Sequence, residues 1–348
     1  MQLSILIPTH RSDLLTCSRL AQACSWAGPK VEVIIRDNSG SADKRELLTR
    51  FAREHCNIVT VGECGPMENY AETLKLARGD FVFFVADDDL GFDRAIAALP
   101  EVIDAARGDA SVAGITGLYA VETSQKSAVG GYQEVDSDDP AVRLNAYLGF
   151  GGPNLLIYSP IRRVLIARVF DFVNGMPFSF SFHDQIVCML YLLNGKFVKF
   201  NRLLYLYDNS EWETAEKSQK RDLDFYRAAS LDPALNKLQW LVCAFEGAVL
   251  VRNSDLIPGH APAQRQAMAD RWFATMYQRF VRIPRDGFGS PQADKAEALR
   301  AKWKTNVGQL SFETMLAELC GFLALSSKDN ARKYFDFWNP ILSRGEKN

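Results

Sequence analysis

At 348 residues, with 47% hydrophobic and 24% charged side chains, the chain is long enough for a large α/β unit plus an accessory segment, and its composition is that of neither a disordered nor a fibrous protein. A formal net charge of −2 removes the basic footprint a nucleic-acid binder needs, so no nucleic-acid partner is expected. Seven cysteines, an odd number without a Cys-x-x-Cys pair, signal neither a disulfide framework nor a zinc site and fit a reducing cytoplasm.

The chain begins MQLSILIPTHR, without a basic stretch followed by an apolar run and cleavage site, so export is not expected. Short β-branched and aromatic runs at 3–7, 31–35, 58–61, 81–85 and 112–118 alternate with helical patterns, the rhythm of a mostly parallel sheet. Runs such as FVFFV are apolar throughout, which predicts strands covered by helices on both faces. A helix is expected over 67–78, where Met67, Tyr70, Ala71, Leu74 and Ala77 share a face and Gly79 supplies a left-handed stop. Residues 155–158 (LLIY) read as a strand, 184–194 as a helix ended by Asn194-Gly195, and 196–207 as another strand. Beyond about 210 helical patterns dominate, at 235–251, 263–282 and 312–325, so the chain divides into 1–210 and a helical 211–348. The longest apolar stretch, 238–251, reads as too short for a bilayer and carries Glu246, so it predicts a buried or interface helix. Between Pro262 and Lys304 nine basic residues face four acidic ones: a solvated helix face, or contact with anionic lipid or a phosphorylated acceptor.

The chemistry gathers where strands end. Asp87, Asp88 and Asp89 directly follow the apolar run FVFFVA, and three adjacent carboxylates disfavour joint ionisation unless a cation shares them. Oxygen-only ligands suit Mg²⁺ or Mn²⁺, completed by water and substrate phosphates. The competing reading is a solvated turn in which Asp89 or a neighbour caps a helix starting near Phe92. The first strand leads into Pro8-Thr9-His10-Arg11 and the second into Arg36-Asp37-Asn38-Ser39-Gly40-Ser41, so polar loops meet at the sheet edge where open α/β sheets bind ligands. Asp37 can accept from a base or ribose, with Thr9 and Arg11 placed to meet a nucleotide. No Gly-rich turn follows the first strand, which argues against a dinucleotide or nucleotidyl-transfer site.

In order and spacing, SILIPTHR, VEVIIRDNSGS, the segment from Asn69 through LKLARGDFVFFVADDD, and FHDQ resemble the family 2 glycosyltransferases over about residues 1–210. The resemblance implies a GT-A fold with a mostly parallel central sheet, a carboxy-terminal helical segment, and inverting transfer from a nucleotide-sugar donor, with UDP the expected nucleotide. It implies a saccharide or lipid-linked acceptor in surface-glycan synthesis, a Mn²⁺ or Mg²⁺ cofactor, and a cytoplasmic location with peripheral membrane contact through the carboxy-terminal helices. Pro8, Thr9, Arg11, Asp37, Asn69, Asp87 and Asp88 are assigned to the donor nucleotide. The metal falls to Asp88 and Asp89, although Ala86 stands where many members carry an acid and the Asp triplet is shifted.

Inverting transfer needs a carboxylate to take the acceptor's proton, and Asp184, in the place where relatives carry an acidic pair, is the candidate base. Its other reading is a helix cap. Gly152, Asn154, His183, Asn209 and Trp212 are accessory or acceptor candidates, each with a plainer alternative as turn, helix start or core. A non-catalytic nucleotide-sugar binder or scaffold is the reading from another class.

Overall fold

The computed structural model describes residues 1–123, 127–150, 154–180, 182–210, 212–306 and 311–344. It divides into two compact units, Met1–Asn174 with Cys188–Glu213, and Gly175–Val187 with Thr214–Asn348.

The first unit is built on one sheet. Its strands are β1 (Leu3–Thr9), β2 (Val31–Asp37), β3 (Cys56–Thr60), β4 (Phe81–Phe84), β5 (Leu90–Gly91), β6 (Val112–Glu122), β7 (Ser127–Gly130), β8 (Ile161–Arg162) and β9 (Lys196–Asp208). They run in the order β3-β2-β1-β4-β8-β6-β9-β5, with β7 beside β6. β3, β2, β1 and β4 are mutually parallel, as are β6 and β9, while the short β8 pairs antiparallel to both β4 and β6. Every residue of β1, β2 and β4 is buried; β4 reads as an unbroken apolar run, while β1 and β2 also bury polar residues such as Ser4 and Glu32. Each buried Phe of β4 contributes roughly 1.5–3 kcal/mol by leaving water. Helices α1 (Leu14–Cys24), α2 (Ala42–Phe51), α3 (Pro66–Lys75), α4 (Asp93–Ala106), α5 (Pro140–Gly149) and α6 (Arg163–Gly175) connect the strands. Helix α7 (His183–Asn194) begins in the second unit and ends in the first.

Two local expectations are corrected. Helix α3 ends at Lys75, and Gly79 is not among the residues with positive φ. A Cβ at Gly79 would lie 2.5 Å from the Ser4 amide nitrogen, so this glycine serves close backbone approach rather than a left-handed turn. Residues 155–158 do not form a strand; Leu156–Tyr158 is a 3-10 turn. The Tyr132 hydroxyl accepts from the Leu155 and Leu156 amides at 2.9 and 3.1 Å, so these backbone donors are spent on a side chain instead of a ladder.

The second unit is helical among its described residues: α8 (Ala215–Ala228), α9 (Gln239–Asn253), α10 (Pro262–Arg282), α11 (Ala293–Asn306), α12 (Phe312–Ala324) and α13 (Lys328–Arg344). A 3-10 segment, Pro233–Leu238, runs into α9, making a 21-residue helical stretch that contains an 18-residue window of mean hydropathy 1.3. The stretch is long and apolar enough to cross a bilayer, so shortness does not exclude a span, but 94% of that window is buried inside the protein. Helix α9 passes close against α10: a Cβ at Gly247 would lie 2.1 Å from the Trp272 ring nitrogen, which donates to the Cys243 carbonyl at 3.0 Å. Part of the basic bias of 262–304 is spent within this unit, since Arg265 donates to the Val251 carbonyl, Arg279 to Gln185 and Arg285 to Asp222.

Candidate functional site

The carboxyl ends of β1, β2 and β4 gather one continuous polar chain. Thr9 and Asp37 are register partners, and the Val85 amide bonds the Leu6 carbonyl at 3.0 Å, which delivers the following aspartates to the same edge. Lys44 Nζ donates to Asp37 Oδ1 at 2.9 Å, to Thr9 Oγ1 at 2.8 Å and to the Arg11 carbonyl at 2.5 Å. Thr9 Oγ1 in turn donates to Asp87 Oδ2 at 2.6 Å. The Arg11 guanidinium then bridges Asp87 Oδ1 at 2.7 Å and Asp88 Oδ2 at 2.6 Å. Charges of opposite sign thus alternate from Asp37 to Asp88, and each carboxylate has a cation beside it.

Lys44 is the residue that sequence reasoning missed. Its side chain is 0% exposed and that of its partner Asp37 is 1% exposed. The signal was available: Lys44 sits in the first turn of α2, just after the Ser41 cap, where the helix dipole disfavours a cation. Such a lysine needs a carboxylate, and Asp37 is the acid at the end of the preceding strand. Arg19, which donates to the Asp88 carbonyl, and Tyr70 were missed as well. Burial pushes the Tyr70 hydroxyl up, and the charges of Asp87, Asp88 and Asp89 add to it.

The three consecutive aspartates part company. Burial works against the Arg11 charge, but Asp88 and Asp87 outweigh it and its pKa rises. Asp88 remains partly open, with a side chain 30% exposed. Asp89 is buried; desolvation, then the neighbouring Asp88 charge, push its carboxyl well above the ordinary range, and Oδ1 accepts from the Asp208 amide at 3.1 Å. None of the three caps α4, whose N-cap is Phe92 with no side-chain bond.

One buried oxygen of this polar cluster is unspent. Asp37 Oδ1 takes Lys44 and the Ser39 amide, while Oδ2 is buried with no hydrogen-bond partner. A buried acceptor left unpaired costs about 1–3 kcal/mol, more when charged, and here it stands ready for an N–H or O–H donor. The loop beside it is braced: Arg36 donates to Asn69 Oδ1 at 2.5 Å, Asn69 to Asn38 Oδ1 at 3.1 Å, and Asn38 to the Cys64 carbonyl at 2.9 Å. The Asn69 amide is therefore occupied in holding this loop. Pro8 lies within β1 opposite Arg36.

The remaining candidates are dispersed. Asn154 accepts from the Tyr147 hydroxyl at 2.9 Å, and its buried Nδ2 is unpartnered. Gly152 lies outside the described residues. Asn209 forms a turn, its amide on the Glu122 carbonyl at 2.9 Å and its carbonyl taking the Trp212 amide at 3.0 Å. Trp212 is 37% exposed. His183 and Asp184 open α7 within the other compact unit, where Asp184 Oδ1 accepts from the Gln185 amide at 2.7 Å.

Residues 4–139 match the model of the family described as Glycosyl transferase family 2, a stretch that contains β1 through β4 and every member of the polar chain. The protein is also similar to the poly(ribitol-phosphate) beta-glucosyltransferase of Bacillus spizizenii, at 28% identity over 95 residues. That alignment covers 26% of this chain and only 15% of the relative's length. Among solved structures, residues 1–349 of S. aureus TarS superpose with a TM-score of 0.54 at 15% identity, covering 100% of this chain and 92% of that one. The same fragment in complex with UDP-GlcNAc gives the same TM-score, identity and coverage. At this identity the likeness establishes the fold: a GT-A type α/β unit of mostly parallel sheet, followed by helices.

Proposed function

We propose that the protein is an inverting glycosyltransferase that moves a sugar from a UDP-sugar to a hydroxyl of a surface-glycan or lipid-linked acceptor. The observation that carries this reading is the unpartnered Asp37 Oδ2 at the strand edge of a family 2 domain, beside Thr9, Arg11, Asp87 and Asp88. A uracil ring offers an N–H to such an oxygen. Asp87, with lone pairs left on both oxygens, takes a ribose hydroxyl, and Arg11 turns its remaining N–H groups to the diphosphate. The name of the Bacillus relative makes a poly(ribitol phosphate) the first acceptor to try, and the TarS complex makes UDP-GlcNAc the first donor.

A divalent ion belongs to the same reading. Among the described residues no three acidic, His or Cys side chains converge on one point, so the protein offers one or two carboxylates. Mg²⁺ and Mn²⁺ accept that arrangement when substrate phosphates complete the shell, so the donor set fits. Asp88 is the better holder, because Asp89 is buried and already bonded to the Asp208 amide. When bound, the ion offsets the negative charge on the departing diphosphate. On the protein's side, Asp184 takes the proton of the acceptor hydroxyl as that oxygen bonds the anomeric carbon from the face opposite the breaking C–O bond, and UDP leaves. Nucleotide sugars and seven cysteines free of disulfides fit a cytoplasmic location.

The test is transfer from radiolabelled UDP-GlcNAc and UDP-glucose to poly(ribitol phosphate) by wild type and Asp184→Asn. Transfer is expected from the wild type only, with UDP affinity in the variant within a few-fold, since loss of a base acts on the transition state. Wild-type turnover by the variant sinks the assigned base.

A further inference from the structure

Asp184 is the middle of three residues whose outer two are each tied to another helix of the second unit. His183 Nε2 lies 3.3 Å from Glu246 Oε2 on α9, and Gln185 Oε1 accepts from Arg279 on α10 at 2.8 Å. Glu246 is 1% exposed, on a helix buried almost all round, and its other oxygen accepts from the Tyr334 hydroxyl of α13 at 2.9 Å. The imidazole is fixed in plane too, with Phe180 and Phe182 set against it at 85° and 87°. Its Nδ1 accepts from the Phe180 amide at 3.4 Å, so the ring proton sits on Nε2 and points at Glu246.

A carboxyl group in the middle of an apolar helix is expensive to desolvate, and an aliphatic residue there packs at less cost. Among the described residues, however, Glu246 joins His183 to Tyr334, and His183 stands at the helix start next to Asp184. We propose that Glu246 is a positioning residue: through the His183 Nε2–H it fixes the backbone at the start of α7 and with it the direction of the Asp184 carboxylate. This rests on the reading of Asp184 as the base. Helices α9, α10 and α13 hold the residues on either side of that base.

The experiment uses the full chain and four variants, Glu246→Leu, Glu246→Gln, the double His183→Leu/Glu246→Leu, and Asp184→Asn. Each is assayed for UDP release from UDP-GlcNAc with poly(ribitol phosphate), for UDP affinity and for thermal unfolding. Nitrogen-15 spectra of the histidines read the tautomer of His183 without any substrate. Glu246→Leu is expected to lower kcat by about 10²-fold with donor KM and UDP affinity unchanged, the size of loss that a small misplacement of a reacting group brings. His183 is expected to lose its fixed Nε2–H signature in that variant. Glu246→Gln, whose amide oxygen still accepts from the imidazole, is expected to keep kcat within about threefold and retain the tautomer. If Glu246→Leu alone does not fold, the double variant, which leaves no unpaired imidazole, is expected to fold and to show the same loss. A folded Glu246→Leu or double variant with wild-type kcat overturns the proposal, as does a kcat that falls only with the fraction of folded protein. Asp184→Asn reports separately: wild-type turnover there removes the base itself, whereas an inactive Asp184→Asn beside a fully active Glu246→Leu removes only the role of Glu246.

Discussion

The two ends of the same parallel strands carry the same kinds of side chain to opposite purposes. At the amino end, Ser4 of β1 and Glu32 of β2 are register partners, and Ser4 Oγ donates to Glu32 Oε1 at 2.5 Å. The Arg78 amide and guanidinium add bonds to Glu32 at 2.6 and 2.9 Å, and the Gly79 amide donates to Ser4 at 2.7 Å. At the carboxyl end, Thr9 and Asp37 of the same strands meet Lys44, Asp87 and Arg11. The first set is closed, every oxygen of Glu32 engaged, and it fastens α3 to the sheet. The second leaves Asp37 Oδ2 without a donor and Asp88 partly open. The first cluster is saturated and stabilises; the second is as deeply buried but keeps an acceptor unspent, which is why it carries the proposed donor site.

The largest effect is expected at Lys44. Lys44→Met strands the Asp37 carboxylate in a site 1% exposed and is expected to cost about 3–5 kcal/mol in urea unfolding, with the double variant Asp37→Asn/Lys44→Met recovering much of it. Recovery to less than the single-variant stability would mean that the two are not a pair. Glu32→Gln comes next, at about 1–3 kcal/mol at pH 7. Burial pushes the Glu32 carboxyl up, but the Ser4 and Arg78 hydrogen bonds outweigh it and its pKa lies below the ordinary value. Its contribution is therefore full above the ordinary glutamate pKa of about 4.3 and disappears as pH falls through the lowered one. The gap between wild type and Glu32→Gln should shrink below about pH 4; a gap that grows on acidification contradicts the closed cluster.

Asp37→Asn should leave folding nearly intact when paired with Lys44→Met, yet reduce UDP affinity by about tenfold or more in calorimetry, the worth of a hydrogen bond to a charged acceptor. Glu32→Gln should leave UDP affinity unchanged, which is the contrast between the two sheet ends. The smallest effect is expected at Arg11. Its guanidinium holds Asp88 Oδ2 at 2.6 Å, so Arg11→Gln should raise the affinity for Mn²⁺ alone severalfold, about 1 kcal/mol, as read by paramagnetic resonance. Weaker Mn²⁺ binding in that variant would place the ion away from Asp88.

The residues alone determined the long buried parallel strands and the sheet edge at which their polar ends meet. Strands β1, β2 and β4 are buried on both faces, so most of their residues are apolar and the polar exceptions, such as Ser4 and Glu32, are hydrogen-bonded. Asp37 and the aspartate triplet were legible because acids directly after such runs have nowhere to go but the sheet edge. What the residues could not show is how each polar atom is spent, since that depends on neighbours far away in the chain. Lys44 on Asp37, Asp89 on the Asp208 amide, the Asn69 amide on Arg36, Tyr132 on the Leu155 and Leu156 amides, and Glu246 on His183 are all settled by packing of separate elements. Local pattern fixes where a side chain points along its own strand or helix; whether its last lone pair is left for a ligand is decided only when the tertiary structure brings, or fails to bring, a partner.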